Sequence, residues 1–311
     1  MTIGSERIPT SGLDYVDTIA LPPEALRHRV HGAADAESFL EIGRQCAQDI
    51  VAALECVGRA PESFEAVLDF GCGCGRVLRW LMPRFGSARL FGSDIDRQAL
   101  AWCASNLPGG SFTLNAGLPP TGFATQSFDL IYAISVFSHL DEDFQFYWLN
   151  ELRRIVRPGG IVLLSIHGSY YLGNLEEDIV AEVQARGMKF VVTSGWKNVF
   201  PDWYQVAFHT QDYVVKEFGQ YFELLNYLPG GMNGVQDLVV LRRRSGRESA
   251  LDRELGLQGE TSRLRSHITV LEQAIAVKNA HIARLEQLIG AIESGRVMRV
   301  LRWATRRSGG E

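Results

Sequence analysis

The chain has 311 residues, of which 46% are hydrophobic and 22% charged, and this composition excludes collagen-like, low-complexity and wholly disordered proteins. The net charge of −5 is unevenly distributed. Residues 242–311 carry 14 basic and 8 acidic side chains, which leaves 17 basic and 28 acidic ones in residues 1–241. An acidic body argues against nucleic acid as the main substrate, because binding phosphate requires a cationic surface.

The N-terminal sequence and the cysteines indicate a cytoplasmic protein. Residues 1–12 contain no apolar stretch typical of a secretion signal, and no apolar run is long enough to span a bilayer. The five cysteines are odd in number and lack a disulfide spacing, which favours reduced thiols. Cys72 and Cys74 have no second Cys/His pair to complete a tetrahedral metal site, so we interpret them as small residues in a tight loop.

The predicted elements alternate between helices and strands after a loosely structured arm over residues 1–36. In the first helix, for example, Phe39, Ile42, Cys46 and Ile50 recur at steps of three or four. The predicted elements are, in chain order, helix 37–57, strand 66–70, helix 76–85, strand 89–94, helix 97–106, strands 111–115 and 128–134, helix 144–156, a turn at 157–160, strand 161–166, helix 212–218, and strands 222–228 and 236–241.

This alternation predicts right-handed βαβ crossovers and a doubly wound α/β domain with a mostly parallel sheet, over residues 37–241. The last two strands are close enough in sequence to pair antiparallel. The alternation loosens for about forty residues after His167. That stretch is rich in aromatic side chains.

A glycine-rich turn after the first strand is the most informative motif. Gly71, Gly73 and Gly75 allow a sharp turn and a close approach of a ligand to the backbone. Asp69 precedes the first glycine by two residues, and Asp94 ends the next strand, where a carboxylate can accept both hydroxyls of a ribose. The spacing differs from the G-x-G-x-x-G of dinucleotide sites. A dinucleotide oxidoreductase and a tight turn without a ligand are the alternatives.

Five segments in this order resemble those of class I S-adenosylmethionine-dependent methyltransferases: residues 67–75, 92–96, 115–120, 127–140 and 152–160. The last segment is similar to the small-molecule and glycan branch of that family. The resemblance implies a Rossmann-like sheet of seven strands and S-adenosylmethionine as the cofactor.

The resemblance also assigns cofactor-binding residues by position. Gly71 and Gly73 are expected along the methionine part of the cofactor, with Asp69 on the ammonium side. Asp94 is expected to bind the ribose, and Ile95 to pack on adenine. Asn115 stands where many relatives have an acid toward the adenine amino group. The full expected set is Asp69, Gly71, Cys72, Gly73, Asp94, Ile95, Asn115 and Ser135.

Two histidines are candidates for the catalytic base. His139 lies in the loop after the fourth strand and His167 directly follows the fifth, so both flank the expected site of methyl transfer. A hydroxyl acceptor must lose its proton, and histidine has a suitable unperturbed pKa. Alternatively, His139 binds backbone in its loop and His167 caps the strand. Residues 141–143 are interpreted as helix-capping acids first and as a base or metal ligand second.

The loops around these histidines predict an aromatic cover over the site of methyl transfer and no metal site. The aromatic residues of the stretch 168–209 form a lid over the acceptor or, alternatively, the hydrophobic cover of a sheet edge. They are Tyr170, Tyr171, Trp196, Phe200, Trp203 and Tyr204, with His209 beside them. Ser135 and Ser138 stand where a metal-dependent enzyme needs carboxylates, so no metal is predicted.

The C-terminal part is predicted to form a structural unit separate from the α/β domain. After a linker over residues 242–256, residues 257–293 have heptad periodicity, with isoleucine at most a positions and leucine at most d positions. This pattern favours a parallel two-stranded coiled coil and a homodimer formed through residues 257–292. Lys278 interrupts the seam. A single amphipathic helix docked on the body is the alternative.

The last segment, residues 294–311, is predicted to be a basic amphipathic tail. Five arginines and an apolar stripe lie within residues 296–307, which contain no acids. Such a helix binds an anionic membrane surface, here the inner face, or an acidic partner protein. Alternatively, this basic segment is exposed to solvent and binds no partner.

Taken together, the motifs favour a dimeric enzyme that methylates a hydroxyl of a small molecule or glycan. The second hypothesis is a non-catalytic scaffold that keeps the cofactor fold and acts through its coiled coil in a polysaccharide-assembly complex. The intact Asp69, Gly71, Gly73 and Asp94 favour the enzyme.

Overall fold

The computed structural model describes residues 15–192 and 204–244, together with Asn279, Ile282 and Ala283. The chain divides into two compact units, Met1–Arg247 and Glu248–Glu311. In the second unit, the three described residues are helical and their side chains are exposed. The coiled coil over 257–293 and the basic tail otherwise lie outside the described residues and stay predictions.

The first unit alternates helices with strands. Its α-helices are α1 (Glu24–His31), α2 (Ala36–Cys56), α3 (Leu78–Leu81), α4 (Arg97–Asn106), α5 (Glu142–Ile155), α6 (Ser169–Leu172), α7 (Glu177–Arg186) and α8 (Gln211–Glu217). Its strands are β1 (Ala66–Phe70), β2 (Arg89–Asp94), β3 (Gly110–Leu114), β4 (Phe128–Ala133), β5 (Val156–Ile166), β6 (Met188–Val191), β7 (Val206–His209), β8 (Glu223–Met232) and β9 (Gln236–Arg242).

The main sheet of the described unit has seven strands in the order β3-β2-β1-β4-β5-β9-β8. The first five are parallel, and β9 pairs antiparallel with both β5 and β8. The predicted doubly wound, mostly parallel sheet and the antiparallel final pair are confirmed. Because β1, β2, β4 and β5 are parallel, their carboxyl ends meet at one edge, where open α/β sheets bind ligands.

Helices cover both faces of the main sheet. On one face, Leu68 and Ile131 pack with Leu152 of α5 and Val214 of α8. On the other face, Val67 and Leu163 pack with Ile50 of α2. These side chains are almost completely buried, as expected for parallel strands covered on both sides. The hydrophobic effect therefore fixes the central strands and, with them, the loops at their carboxyl ends.

The N-terminal arm differs from its prediction as loosely structured. Residues Glu24–His31 form α1, which the sequence pattern did not indicate because Leu26 is the helix's one buried residue. The helix begins after Pro23 and ends at Gly32, whose φ of 75° closes it in a left-handed cap. Its place is fixed by packing on other elements, which a local pattern does not record.

Two predicted boundaries were also wrong. The predicted helix over 76–85 is only α3 followed by a 3-10 turn at Met82–Arg84, because Pro83 cannot continue an α-helix. The predicted turn at 157–160 lies inside β5 as an irregularity in its pairing with β4, where the register shifts between Phe128 and Leu130. Gly159, with a φ of 77°, accommodates this irregularity.

The stretch after His167 is more regular than predicted. It contains α6, α7 and a separate antiparallel pair of strands, β6 and β7. Backbone atoms tie this pair to the main sheet, because the amide of His209 donates to the carbonyl of His167 at 2.9 Å. Within the described part of the chain, no helix is long and apolar enough to cross a membrane.

Candidate active site

A cavity of about 810 Å³ opens at the carboxyl ends of β1, β2 and β4. Its floor is the glycine-rich loop, in which Gly71 and Gly73 have φ values of 81° and 51°. The amides of Gly71 and Cys72 donate to the carbonyl of Ser93 at 2.8 and 3.1 Å, which holds the loop against β2. A side chain at Gly71 would collide with Val136, so glycine is required for both conformation and space.

The carboxylate of Asp94 stands at the end of β2 on the cavity wall. Its Oδ2 accepts from the amide of Gly73 at 2.7 Å, and its Oδ1 accepts from the amide of Asp96 at 2.8 Å. Asp96 in turn caps α4. The side chain of Ile95 is 37% exposed beside it, which leaves an apolar surface available for a flat ring. Next to Asp94, whose carbonyl accepts from the amide of Asn115 at 3.0 Å, Asn115 has a buried Oδ1 without a hydrogen-bond partner.

Asp69 is a buried carboxyl group at the end of β1 on the same cavity. Burial raises its pKa to about 8, and the negative charge of Asp94 adds to the rise. Burial also raises the pKa of Asp94. Two carboxyl groups therefore share one region, where a cationic ligand group would be stabilised.

Ser135, the second residue after β4, has a strained backbone with a φ of 57°. Its amide donates to Oγ of Ser165 at 2.7 Å, and its carbonyl accepts from the hydroxyl of Tyr204 at 2.7 Å. Its own hydroxyl donates to Oε1 of Gln236 at 3.2 Å. The strain is sustained by residues from three distant parts of the chain, which is typical of functional sites.

His139 lines the cavity and has a defined tautomer. Its Nδ1 lies 2.8 Å from the carbonyl oxygen of Gln205 and must donate, because a carbonyl only accepts. In the neutral ring the lone pair is then on Nε2. Burial, with a smaller contribution from the neighbouring His167, lowers the pKa of His139 to about 4. Tyr204 packs on the ring, with centroids 4.8 Å apart and planes 30° apart.

His167 lies behind His139 and does not line the cavity. The two ring centroids are 5.5 Å apart. Nε2 of His167 lies 3.1 Å from the amide nitrogen of Gln236, which donates to it, and Nδ1 is buried without a hydrogen-bond partner. Burial lowers the pKa of His167 to about 4. His167 is thus connected to the site through Gln236, which also accepts from Ser135.

The cavity brings together the residues predicted for the cofactor and one of the two predicted bases. The residues that line it are Asp69, Gly71, Cys72, Gly73, Asp94, Ile95, Asn115 and Ser135, joined by His139. Their roles stay predictions. Asp141, predicted as a capping acid, caps α5 by accepting from the amide of Phe144 at 2.9 Å.

The aromatic stretch 168–209 contributes one wall residue and several packing residues. Tyr204 lines the cavity, Tyr171 packs on His167 with ring centroids 4.4 Å apart, and Tyr170 is half exposed. His209 is buried against Gln145. The predicted lid residues Trp196, Phe200 and Trp203 lie outside the described residues.

Sequence reasoning missed one side of the cavity. Helix α1 and its cap supply His28, Arg29, Val30, His31 and Gly32, and the glycine-rich loop is followed by Arg76. Arg29 forms an ion pair with Asp96 at 2.8 Å, which attaches α1 to the end of β2. The clustered positive charge of residues 27–31 is the signal that could have found this wall.

Comparison with known proteins agrees with this geometry. Residues 67–160 match the family described as "Methyltransferase domain". A malonyl-[acyl-carrier protein] O-methyltransferase of Halalkalibacterium halodurans is 25% identical over 189 residues, which cover 55% of this chain and 67% of that protein. A ribosomal protein L11 methyltransferase of Desulfatibacillum aliphaticivorans is 33% identical over 116 residues, 36% of this chain and 34% of that protein. The chain thus spans about a third of the latter relative.

Among solved structures, the 1,6-didemethyltoxoflavin-N1-methyltransferase of Burkholderia thailandensis, with bound S-adenosylhomocysteine, is similar with a TM-score of 0.49 and 15% identity. The match covers 74% of this chain and 94% of that one. The match of residues 67–160 to a methyltransferase domain agrees with the fold and with the cofactor, S-adenosylmethionine, predicted from the sequence.

The residues of the cavity fit this cofactor. Because Gly71 and Gly73 lack a Cβ, the loop packs closely against Val136 and Val30 while its backbone lines the cavity. The orphaned Oδ1 of Asn115 can accept from an amino group. Asp94 and Asp69 present carboxyl groups for hydroxyl and ammonium donors. The apolar side chain of Ile95 completes a surface for a purine.

Proposed function

We propose that this chain, which carries an S-adenosylmethionine-dependent methyltransferase domain, transfers a methyl group to a hydroxyl of a small molecule or glycan. One observation carries the choice of a hydroxyl: His139 presents a neutral imidazole on the cavity wall, with its tautomer set by Gln205. The names of the relatives include both an O-methyltransferase and a protein methyltransferase, so they leave the acceptor open.

On the cofactor side, the chain's task is to bind and orient. Asp94 would hold the ribose hydroxyls, Ile95 would pack on adenine, and Asn115 would accept from its amino group. Gly71 and Gly73 would let the methionine part lie against the backbone, with Asp69 on its ammonium side. The bound cofactor supplies a methyl group already activated by its positive sulfur, so alignment is the main requirement.

On the acceptor side, Nε2 of His139 would take the proton of the hydroxyl. A pKa of about 4 keeps this nitrogen unprotonated at neutral pH. A base this weak suffices, because an oxygen that gains a methyl group while still protonated becomes a much stronger acid than imidazolium. The hydrogen bond from Nδ1 to the carbonyl of Gln205 would stabilise the protonated ring.

Cofactor binding and methyl transfer are tested separately. Calorimetry of the full chain with S-adenosylhomocysteine should show binding, and no binding at tens of micromolar would refute the enzyme. Incubation of the protein with metabolite and glycan extracts and S-adenosylmethionine that carries a deuterated methyl group should then label the acceptor. Mass spectrometry locates the label, and a label on nitrogen alone contradicts the proposed hydroxyl acceptor.

The dimer and the tail complete the proposal. Residues 257–292 would form the parallel two-stranded coiled coil, and residues 296–307 would bind an anionic surface of a membrane or of an acidic protein. Sedimentation should give a dimer for the full chain and a monomer for a chain that ends at Arg247. Binding to vesicles with anionic lipids should be lost when the five arginines of the tail are replaced by glutamine.

A further inference from the structure

One arginine of the cavity has no acidic partner. Arg76 directly follows the third glycine of the loop and lines the cavity with His31 of α1. Its Nη1 lies 3.2 Å from Nδ1 of His31, and its Nε is buried without a hydrogen-bond partner. By contrast, Arg29 and Arg79 form ion pairs with aspartates at 2.8 and 2.6 Å. Because buried guanidinium donors are normally satisfied and Arg76 lines the cavity, its guanidinium is available to bind an anionic ligand there.

His31 holds this guanidinium in place. Since arginine has no acceptor atom, Nδ1 of His31 must accept from Arg76, and its Nε2–H then donates to Oγ of Ser38 at 2.7 Å. His31 is therefore neutral. Burial lowers its pKa, and the charge of Arg76 lowers it further. The imidazole connects α1 and α2 to Arg76 without neutralising it.

The charge of Arg76 acts at one particular end of the cavity. It lies close enough to Asp69 to offset part of the rise in that residue's pKa, which burial causes. Asp69 and Arg76 thus place a carboxyl group and a positively charged guanidinium near each other. An α-amino acid group carries an ammonium and a carboxylate on one carbon, and these two groups are opposite in charge to the carboxyl group and the guanidinium of this pair.

We propose that Arg76 binds the carboxylate of the cofactor's methionine part, and that His31 is a positioning residue for Arg76. The inference rests on the proposed function only in that S-adenosylmethionine is the ligand. It gives α1 a role, because the helix then carries a residue that sets the geometry of the cofactor site.

The test compares two ligands that differ in one group. S-adenosylmethionine and its decarboxylated form are titrated into the full chain by calorimetry. The wild type should bind S-adenosylmethionine about 10- to 100-fold more tightly, as expected for a charge-assisted hydrogen bond to a carboxylate. In Arg76→Met this preference should fall below about threefold. An undiminished preference in the variant overturns the proposal.

Controls separate binding from folding and from the function itself. Arg44→Met removes an arginine of α2 that pairs with Glu41 and does not line this cavity, and it should keep the preference. If Arg76→Met unfolds, as judged by thermal melting, Arg76→Gln gives the same comparison with a side chain that keeps a polar end. A wild type that binds neither ligand contradicts the proposed function, whereas a wild type with no preference contradicts this inference alone.

The role of His31 has a separate signature. His31→Gln keeps an oxygen that can accept from Arg76 and should retain most of the preference. His31→Phe keeps the ring shape but removes the acceptor and should reduce the preference at least threefold. Equal preferences in both variants would overturn the positioning role, because a purely structural role of the ring predicts no difference between ligands.

Discussion

The two halves of the cavity are built in different ways. Most of the cofactor half comes from one stretch of chain, residues 69–96, in which the glycine loop, Asp94 and Asp96 bond to one another. The acceptor half joins residues far apart in sequence: Tyr204 donates to Ser135, and His139 donates to Gln205. The first half contains charged groups, whereas the second presents uncharged rings.

This difference corresponds to two proposed tasks, cofactor binding in the first half and proton transfer from the acceptor in the second. Local hydrogen bonds between the glycine-rich loop and the end of β2 hold the centre of the cofactor half, and α1 and Asn115 complete its walls. The acceptor half depends on β7 and β9 being in place, since Gln205 and Gln236 orient its histidines. Substitutions in the first half should therefore change cofactor affinity, and those in the second should change turnover.

The largest effect is expected from His139→Ala. Removal of the proposed base should lower kcat about 10²- to 10⁴-fold. The affinity for S-adenosylhomocysteine should stay within about threefold, because His139 belongs to the acceptor half. Steady-state kinetics with the labelled acceptor and calorimetry check both parts.

His167→Ala is the matched control for that variant, since this ring lies behind His139 and off the cavity. A smaller loss of kcat is expected. Unchanged turnover in both variants would eliminate histidine as the base, and a loss in His167→Ala alone would move the base to that residue.

Gly71→Ala should have the next largest effect, on binding rather than on turnover. Its Cβ would strike Val136, and its φ of 81° is unfavourable for alanine, so the loop must shift. We expect S-adenosylhomocysteine to bind about 100-fold more weakly. This change corresponds to a loss of about 3 kcal/mol of binding free energy, caused by lost contacts and strain. Gly109→Ala is the matched control, because φ there is 84° with open space around it.

Backbone strain should cost each glycine variant about 1 kcal/mol of stability, as measured by urea unfolding, and the collision with Val136 should add to this loss in Gly71→Ala. Only Gly71→Ala should lose affinity. An equal loss of affinity in both variants would show that general destabilisation, and not the close approach at Gly71, limits binding.

The cofactor half was largely predictable because its signals are local. The strand–glycine loop–strand pattern placed Asp69, Gly71, Gly73 and Asp94 on one cavity, and the bounds of β1 and β2 were correct. The sequence did not reveal α1, because that helix has a single buried residue and is held by contacts with the loop. Likewise, Tyr204 reaches Ser135 across 69 positions, a contact that no local pattern encodes.

A smaller effect is expected in the cofactor half, which should release a proton when the ligand binds. Asp69 has a pKa of about 8 in the free protein, because burial favours its neutral form. A nearby ammonium group favours the ionised form, so binding of S-adenosylhomocysteine at pH 7 should release up to about one proton. At pH 9 the group is already ionised, and release should disappear.

Calorimetry in buffers with different ionisation enthalpies measures this release. Asp69→Asn should abolish it. Methylthioadenosine, which lacks the amino acid part, should release none from the wild type. Equal release with both ligands would place the titrating group elsewhere than beside the ammonium.

The smallest effect concerns the stability of the acceptor half in acid. His209 is fully buried behind this half, with Nε2 3.0 Å from Oε1 of Gln145. Burial, with a smaller contribution from His167, lowers its pKa to about 3. Because the folded pKa lies below the unfolded one, stability is complete above pH of about 6.5 and declines as pH falls toward 3.

Between pH 4.5 and 6 the unfolded chain binds about one more proton at this residue than the folded chain, which contributes about 1.4 kcal/mol per pH unit. His209→Gln should reduce the slope of unfolding free energy against pH by that amount, whatever its effect at pH 7. Because His139 and His167 have lowered pKa values for the same reason, the acceptor half should lose its order in acid before the cofactor half does. If the slope in His209→Gln equals that of the wild type, this buried ring does not set the acid sensitivity of the acceptor half.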